Sequence, residues 1–260
     1  VPLIKYYKSS DREISVICGR GVSKKFPMHR HISFSFGTIV KGCRLLTLNK
    51  NQYVLGPGDI FVINPEEPHS ISENKDTEHD YIVISMACDL VYQTLDKIFF
   101  RNIFHNSVTC EFLGTLFDSI IEDKKLNYEW TDFERFLLEL KPFSTTQKLA
   151  EHESHLLKVR EILDKEHINN YSTTELAEKA FLSPFHFNRK FKKLTGLAPH
   201  QYLLDNRLRF ARTMIEKGLS INDIAIAAGF YDSSHFVRHF VNHYGVTPQS
   251  FQKGMNNLLL

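Results

Sequence analysis

Two stretches of this chain repeat one pattern. Residues 181–199 read FLSPFHFNRKFKKLTGLAP and residues 230–248 read FYDSSHFVRHFVNHYGVTP. At an offset of about 49 positions, Phe181, His186, Phe187, Arg189, Phe191, Gly196 and Pro199 fall on Phe230, His235, Phe236, Arg238, Phe240, Gly245 and Pro248. Such a repeat constrains the fold more than composition does, because each unit must be one supersecondary element. The unit here is a helix-turn-helix.

In the first copy, Ser172-Thr173-Thr174-Glu175 is a capping box that opens a short helix carrying Leu176, Ala177 and Ala180. Ser183 caps the next helix, with Pro184 at its first position and Gly196 as its left-handed stop. Phe187, Phe191 and Leu194 form the buried stripe, which leaves Phe185, Asn188, Arg189, Lys192 and Lys193 outward. In the second copy Ser220 caps a helix with Ile221, Ile224, Ala225 and Ala228. Gly229 allows the turn and Asp232 caps the next helix, whose core side is Phe236 and Phe240. One long helix, about Pro199 to Lys217 and closed by Gly218, joins the copies. At 1.5 Å per residue it spans somewhat under ~30 Å, near the ~34 Å between successive major-groove faces on one side of a duplex.

The stretch from about Leu156 to Lys253 resembles the DNA-binding domain of the AraC family of bacterial transcription regulators. In the first unit the matching residues are Glu175-Leu176-Ala177, Phe181-Leu182-Ser183, Arg189-Lys190-Phe191-Lys192, Gly196, Pro199, Tyr202 and Arg207-Leu208. In the second they are Ile224-Ala225, Gly229-Phe230, Asp232-Ser233-Ser234-His235-Phe236, Arg238, Phe240, Gly245 and Thr247-Pro248. Gln252 departs from the pattern, since the family usually has Arg after its aromatic residue, here Phe251.

Charge placement agrees with a nucleic-acid partner. The whole chain carries a net +2, but from His155 onward there are about 14 basic against about 9 acidic residues. Length gives a prior of two domains. Cys18, Cys43, Cys88 and Cys110 are scattered without a CxxC spacing, as in a reducing compartment. The sequence has neither an apolar run long enough for a membrane span nor a signal-peptide pattern. The opening at Val1 reads as a start whose initiator Met was lost, and a soluble cytoplasmic protein is expected.

Residues 1 to about 86 read as β structure, with apolar or alternating runs at Ile14–Ile17, Ile32–Val40, Arg44–Leu48, Gln52–Leu55, Ile60–Ile63 and Tyr81–Met86. Turn signals such as Gly56-Pro57-Gly58-Asp59 separate them, which suggests a small antiparallel barrel or jelly roll. A second resemblance enters here. Phe26 to His31, Gly56 to Pro65 and Pro68-His69 are similar to the cupin-type effector domain usual at the N-terminus of this family. His29 and His31 are at i and i+2 of an expected strand, so they share a face, and His69 could join them. Three imidazoles can hold zinc, but Ser35 and Phe36 stand where enzymatic cupins have their glutamate. No metal, cofactor or catalytic residue is therefore expected. The favoured reading is an effector pocket drawing on His29, His31, Phe34, Phe36, His69 and Tyr81, with plain barrel core as the alternative for each aromatic.

From Asp89 to Leu140 the pattern turns helical. Leu113, Leu116, Phe117, Ile120 and Ile121 follow i, i+3, i+4, i+7, i+8 spacing, and a further helix carries Phe133, Phe136, Leu137 and Leu140. Helices after the barrel commonly form the dimer interface in this family, so the Leu113 to Ile121 stripe is expected to dimerise. The other possibility is that it packs on its own barrel. Lys141 to Ser154 reads as a polar linker, after which Ser154 caps the first helix of the DNA-binding domain.

The expected architecture is α+β in two domains. An effector and dimerisation domain occupies 1–140, the linker 141–154 and a double helix-turn-helix domain 155–260. Base contacts fall to the N-terminal part of each second helix: Phe185, Asn188 and Arg189 in unit one, Ser233, Ser234, Val237 and Arg238 in unit two. Lys190, Lys192, Lys193 and His239 are phosphate candidates, while His186 and His235 are expected to make structural bonds. Unit one, with the more discriminating side chains, should carry more of the sequence specificity. The function expected is an effector-controlled transcription regulator or activator. Its partners would be double-stranded DNA, a small molecule, RNA polymerase and a second copy of the chain. The alternatives are a cupin metalloenzyme with a DNA-binding tail and a ligand-free regulator whose barrel only dimerises.

Overall fold

The structure, a computed structural model, describes residues 2–9, 13–48, 51–73, 78–95, 98–124, 128–145, 154–253 and 255–258. It divides into two compact units. The first comprises Val1–Pro27, His31–Gln147 and Gln249–Leu260, and the second Met28–Arg30 and Lys148–Pro248. The boundaries expected from sequence are thus cut twice: Met28–Arg30 go with the helical unit, and the chain from Gln249 goes with the sheets.

The strands are β1 (Leu3–Ser9), β2 (Ile14–Val22), β3 (Phe26–His29), β4 (Phe34–Lys41), β5 (Arg44–Leu48), β6 (Asn51–Leu55), β7 (Asp59–Ile63), β8 (His69–Glu73), β9 (His79–Met86), β10 (Phe99–Phe100), β11 (Ile103–His105), β12 (Ser144–Thr145) and β13 (Met255–Leu258). A seven-stranded sheet runs β11-β7-β4-β9-β2-β1-β13, and a four-stranded sheet runs β3-β8-β5-β6. β13 is parallel to β1 and covers its edge. Three helices follow the sheets: α1 (Cys88–Leu95), α2 (Ser107–Ile121) and α3 (Trp130–Leu140).

Strand alternation sorts the first unit into two cores. Successive side chains of a strand point to opposite faces. On β4, β7 and β9 the register sets Phe36 opposite Val62 and Ile84. These residues, with Phe34, Ile60, Ile82 and Met86, pack against α1, α2 and α3. Their neighbours Phe61, Ile63 and Tyr81 face the other way and pack with Leu46, Leu48 and Leu55 of the four-stranded sheet. Phe34 and Phe36, expected to line the effector pocket, therefore lie on the helix-covered face, on the opposite side of the sheet from Tyr81.

The same packing overturns the expected dimer stripe. Leu113, Leu116, Phe117 and Ile120 are buried in the first core, and Ile121 packs half-buried beside them. Burying each of these side chains contributes about 2 kcal/mol, and their own sheet and α3 already take up that surface. The linker expected over 141–154 also shortens. Lys141–Phe143 form a 3₁₀ turn, and β12 pairs with β10. The rest of that stretch up to 153 lies outside the described residues.

His79 gives the first unit a pH dependence. Its buried ring stacks on Tyr81 at 5.2 Å, and its Nδ1 meets the Val22 carbonyl. Burial, then the charge of Arg44, hold its pKa down at about 4. An unfolded histidine titrates near 6.5, so between pH 6.5 and about 4 only the unfolded state takes the proton. Folding stability should therefore fall as pH drops through that window, by up to about 3 kcal/mol. Urea unfolding at pH 7.5, 6 and 5 checks this: His79→Gln should show a clearly flatter dependence than the native chain.

Candidate nucleic-acid interface

The helical unit contains α4 (Ser154–Lys165), α5 (Thr173–Lys179), α6 (Pro184–Thr195), α7 (Pro199–Glu216), α8 (Ile221–Ala227) and α9 (Ser233–Tyr244); α10 (Pro248–Lys253) follows at its end. The caps read from sequence are in place. Ser172 Oγ accepts from Glu175 N, and Glu175 Oε2 accepts from Ser172 N at 2.7 Å. Ser183, Ser220 and Asp232 accept from His186, Asp223 and His235 backbone amides. Gly196 and Gly245 stop α6 and α9 at φ 75° and 83°. Phe187, Phe191, Phe236 and Phe240 are each 0% exposed, so the two second helices bury matched stripes. The side chain of Ser154, expected to cap α4, lies outside the described residues.

The two copies differ by one residue in the turn. First-helix caps Ser172 and Ser220 are 48 positions apart, whereas second-helix caps Ser183 and Asp232 are 49 apart. The residue after each first helix adopts a left-handed conformation: Phe181 at φ 55° and Gly229 at φ 77°. Leu182 N then donates to Ala177 O, as Phe230 N does to Ala225 O. Phe181 thus corresponds to Gly229, and Leu182 to Phe230. Aligning Phe181 with Phe230 followed the aromatic letters and missed this. Phe181 is 88% exposed while Phe230 is buried. Tyr231, 93% exposed, is the added residue.

The open faces of α6 and α9 carry most of the expected readers. Phe185 is 73% exposed, and Arg189, Lys192, Lys193, Ser234 and Arg238 are also exposed. Asn188, Lys190, Ser233 and Val237 are half-buried. His186 Nδ1 lies 3.2 Å from its cap, Ser183 Oγ, which is a structural role. His239 departs from expectation. Its Nε2 lies 3.0 Å from His235 Nε2, and burial, then the neighbouring charges of His235, Arg238 and His200, push its pKa down. The lowered pKa weakens His239 as a cation for a phosphate.

The rod between the copies is α7, 18 residues or about 27 Å long. It packs against α4, α6, α8 and α9. Arg207 on this rod donates from Nε to His167 O at 2.8 Å. Its Nη2 donates to Ile168 O, Asn169 O and Asn170 Oδ1 at 3.2, 3.1 and 2.8 Å. This fastens the α4–α5 loop to the rod. The α8–α9 turn closes over the same place: a Cβ on Gly229 would stand 3.0 Å from Ile168 O and 3.2 Å from the Arg207 guanidinium. One side chain therefore holds the loop that precedes the first helix-turn-helix and stands beside the turn of the second. Elsewhere on the rod, Tyr202 OH donates to Asp164 Oδ1 at 2.7 Å and Asn206 Nδ2 to Leu163 O at 2.9 Å. Arg30 stacks 3.8 Å over the Tyr202 ring and donates to Asn206 Oδ1 at 2.8 Å.

Two basic helices of equal length, each opened by a side-chain cap and fixed to one rod, suit adjacent grooves of a duplex. Comparison with known proteins agrees. Residues 176–254 match the helix-turn-helix domain family, and residues 14–127 match the AraC-like ligand binding domain family. The chain is an AraC-type transcription regulator. It is 28% identical to the HTH-type transcriptional regulator YbfI of Bacillus subtilis over 83% of each chain. It is 26% identical to the Msm operon regulatory protein of Streptococcus mutans, over 96% of this chain and 94% of that one. In fold it is similar to ToxT from Vibrio cholerae, with a TM-score of 0.55 and 97% of each chain covered at 13% identity.

In the regulator's first unit, the aromatic effector candidates part, Phe34 and Phe36 facing the helices and Tyr81 the second sheet. β3 ends at His29, so His31 lies beyond the strand on which it was expected. His29 belongs with the helical unit, its ring 4.6 Å from that of His243. His31 and His69 have rings 5.0 Å apart, and His69 Nδ1 lies 3.0 Å from Glu67 O. Tyr81 faces the inter-sheet core with its hydroxyl buried and, among the described residues, without a hydrogen-bond partner. Among the described residues no helix is long and apolar enough to cross a membrane.

Gly229→Ala should cost about 1–3 kcal/mol, because it places a side chain at positive φ against the Ile168 carbonyl and Arg207. Arg207→Met removes the loop clamp instead. Both variants should lose more affinity for a duplex carrying two half-sites than for one carrying a single half-site. Fluorescence anisotropy on the two duplexes measures this, with circular dichroism melts as the folding control.

Proposed function

We propose that this AraC-type regulator reads an asymmetric operator with α6 and α9 together, under control of a small molecule taken up by its N-terminal sheets. The observation that carries the DNA part is the packing of both second helices, α6 and α9, on the one rod α7, with Arg207 holding the loop before unit one beside the turn of unit two. On α6, Phe185, Asn188 and Arg189 supply contacts for a thymine methyl, an adenine and a guanine. On α9, Ser233, Ser234 and Val237 are short, and Arg238 is the one strong reader. Lys190, Lys192 and Lys193 are assigned to the phosphates.

The effector part of the reading rests on His31, His69 and Tyr81. The match to the AraC-like ligand binding domain family and the unpartnered Tyr81 hydroxyl support it. ToxT has been solved bound to an unsaturated fatty acid and to a naphthalenyl butenoic acid, so monocarboxylic acids are the first class to test here. The effector must favour one DNA-binding arrangement over another, or it regulates nothing. The same reading makes the chain a cytoplasmic, non-enzymatic activator. It would contact RNA polymerase and pair with a second copy through a surface other than the buried Leu113 stripe.

Selection of binding sites from random duplex DNA tests the reading directly. Arg189→Ala should relax the preference at one base pair of the unit-one half-site, at about 1–3 kcal/mol. Lys193→Ala should weaken all sequences alike and lower the salt slope by about one. Operator substitutions under α6 should cost more than those under α9. Equal or reversed penalties would remove the assignment of specificity to unit one.

A further inference from the structure

The outer faces of α2 and α3 enclose a half-open groove of about 260 Å³. It lies beyond the helix-covered core, on the opposite side of the seven-stranded sheet from Tyr81. Its walls are Val108, Phe112, Tyr128 and Phe136. Phe112 stands edge-to-face with Tyr128 at 5.8 Å and tilted to Phe136 at 5.2 Å. Aromatic walls with a few placed polar groups are the usual makeup of a small-molecule site.

Two further observations define the occupant. Thr109 lines the groove at 1% exposure, and among the described residues its hydroxyl has no hydrogen-bond partner. The neighbouring hydroxyls of α2 are satisfied within the helix: Thr115 donates to Glu111 O and Ser119 to Thr115 O, both at 2.9 Å. A buried hydroxyl left unpaired is costly, so Thr109 is a polar group awaiting a partner. The rim carries Glu111, Asp132 and Glu139 against Arg135. Asp132 also accepts from Glu129 N at 2.9 Å. The rim is therefore net negative, which repels an acid and favours a cation, and a ring face attracts an ammonium group in the same sense.

We propose that this groove binds a small organic amine: an aromatic or branched apolar body between Phe112, Tyr128 and Phe136, a protonated nitrogen facing Glu111 and Glu139, and a polar atom on Thr109. It would be a second ligand input to the regulator, separate from the effector reading of His31, His69 and Tyr81 and independent of it.

Titration of the full-length chain with 2-phenylethylamine, 2-phenylethanol and 3-phenylpropionate, followed by calorimetry and amide NMR, tests this. The amine should bind best and shift amides of residues 108–115 and 128–139. Its Kd should rise at least fivefold in Glu139→Gln and in Thr109→Val, and recover in Thr109→Ser. His31→Ala should leave it unchanged. Glu139 lies on the rim, so its variant keeps the test decisive even if Thr109→Val folds poorly. Equal or tighter binding of the propionate would overturn the proposal, as would amine binding indifferent to Glu139→Gln or lost in His31→Ala. Self-association of the chain that Glu139→Gln weakens, with no amine bound, would assign the groove to a second copy and also overturn it.

Discussion

A guanidinium with four acceptors on one short loop is the contact on which the DNA-reading half depends. Arg207 holds residues 167–170 to the long helix, and the α8–α9 turn is seated against the same group. Hydrogen bonds from a charged donor are worth more than neutral ones, about 1.5–3 kcal/mol each where the geometry is good. Removing such a donor leaves several carbonyls unsatisfied at once. The helix supplies length, but length alone would leave each helix-turn-helix free to pivot about its own end. The clamp removes that freedom, because the loop before unit one and the turn inside unit two share a partner. Gly229 is the residue that makes this sharing possible, through its positive φ and its lack of a Cβ.

In the sheet unit the corresponding constraint is parity. Phe36, Val62 and Ile84 are neighbours across three strands and face the helices with Ile82; Phe61, next to Val62, and Tyr81, next to Ile82, face the second sheet. A slip of one residue would exchange the two cores entirely. This arrangement makes α2 and α3 part of the fold of a single chain. Their apolar stripes are used up on the sheet, and what remains outside is a groove of mixed character.

Signals that act within a few residues were the legible ones. Ser172, Ser183, Ser220 and Asp232 announce helix starts because a short side chain can reach only its own first turn. Gly196 and Gly245 announce ends for an equally local reason. The strand from Arg44 to Leu48 was read to the residue. What could not be read is what a local pattern packs against. The Leu113 to Ile121 periodicity states that a face is apolar and leaves its partner unnamed. Alternation in β4 says that Phe34 and Phe36 share a face without saying which one. β1 and β13 pair through backbones distant in sequence, so no side-chain pattern foretells them. The extra turn residue was within reach, since comparing caps instead of aromatic letters shows the offset changing from 48 to 49.

That extra residue bears on how the two reading helices divide their work. In unit two the turn uses Gly229, pays no steric penalty for its left-handed backbone, and is packed beneath Arg207. In unit one the same backbone position is Phe181, a bulky residue for which that conformation costs about 1–2 kcal/mol, with its ring in solvent. A strained, exposed aromatic persists only where the surrounding structure holds it, and such positions gather at functional surfaces. Unit one also carries the longer side chains, whereas unit two presents short ones and a His239 whose pKa burial pushes down. The two turns are therefore built unequally: that of unit two is seated beside Arg207, while that of unit one, with Phe181, stands in solvent on the same helix-turn-helix as the exposed Phe185 and Arg189.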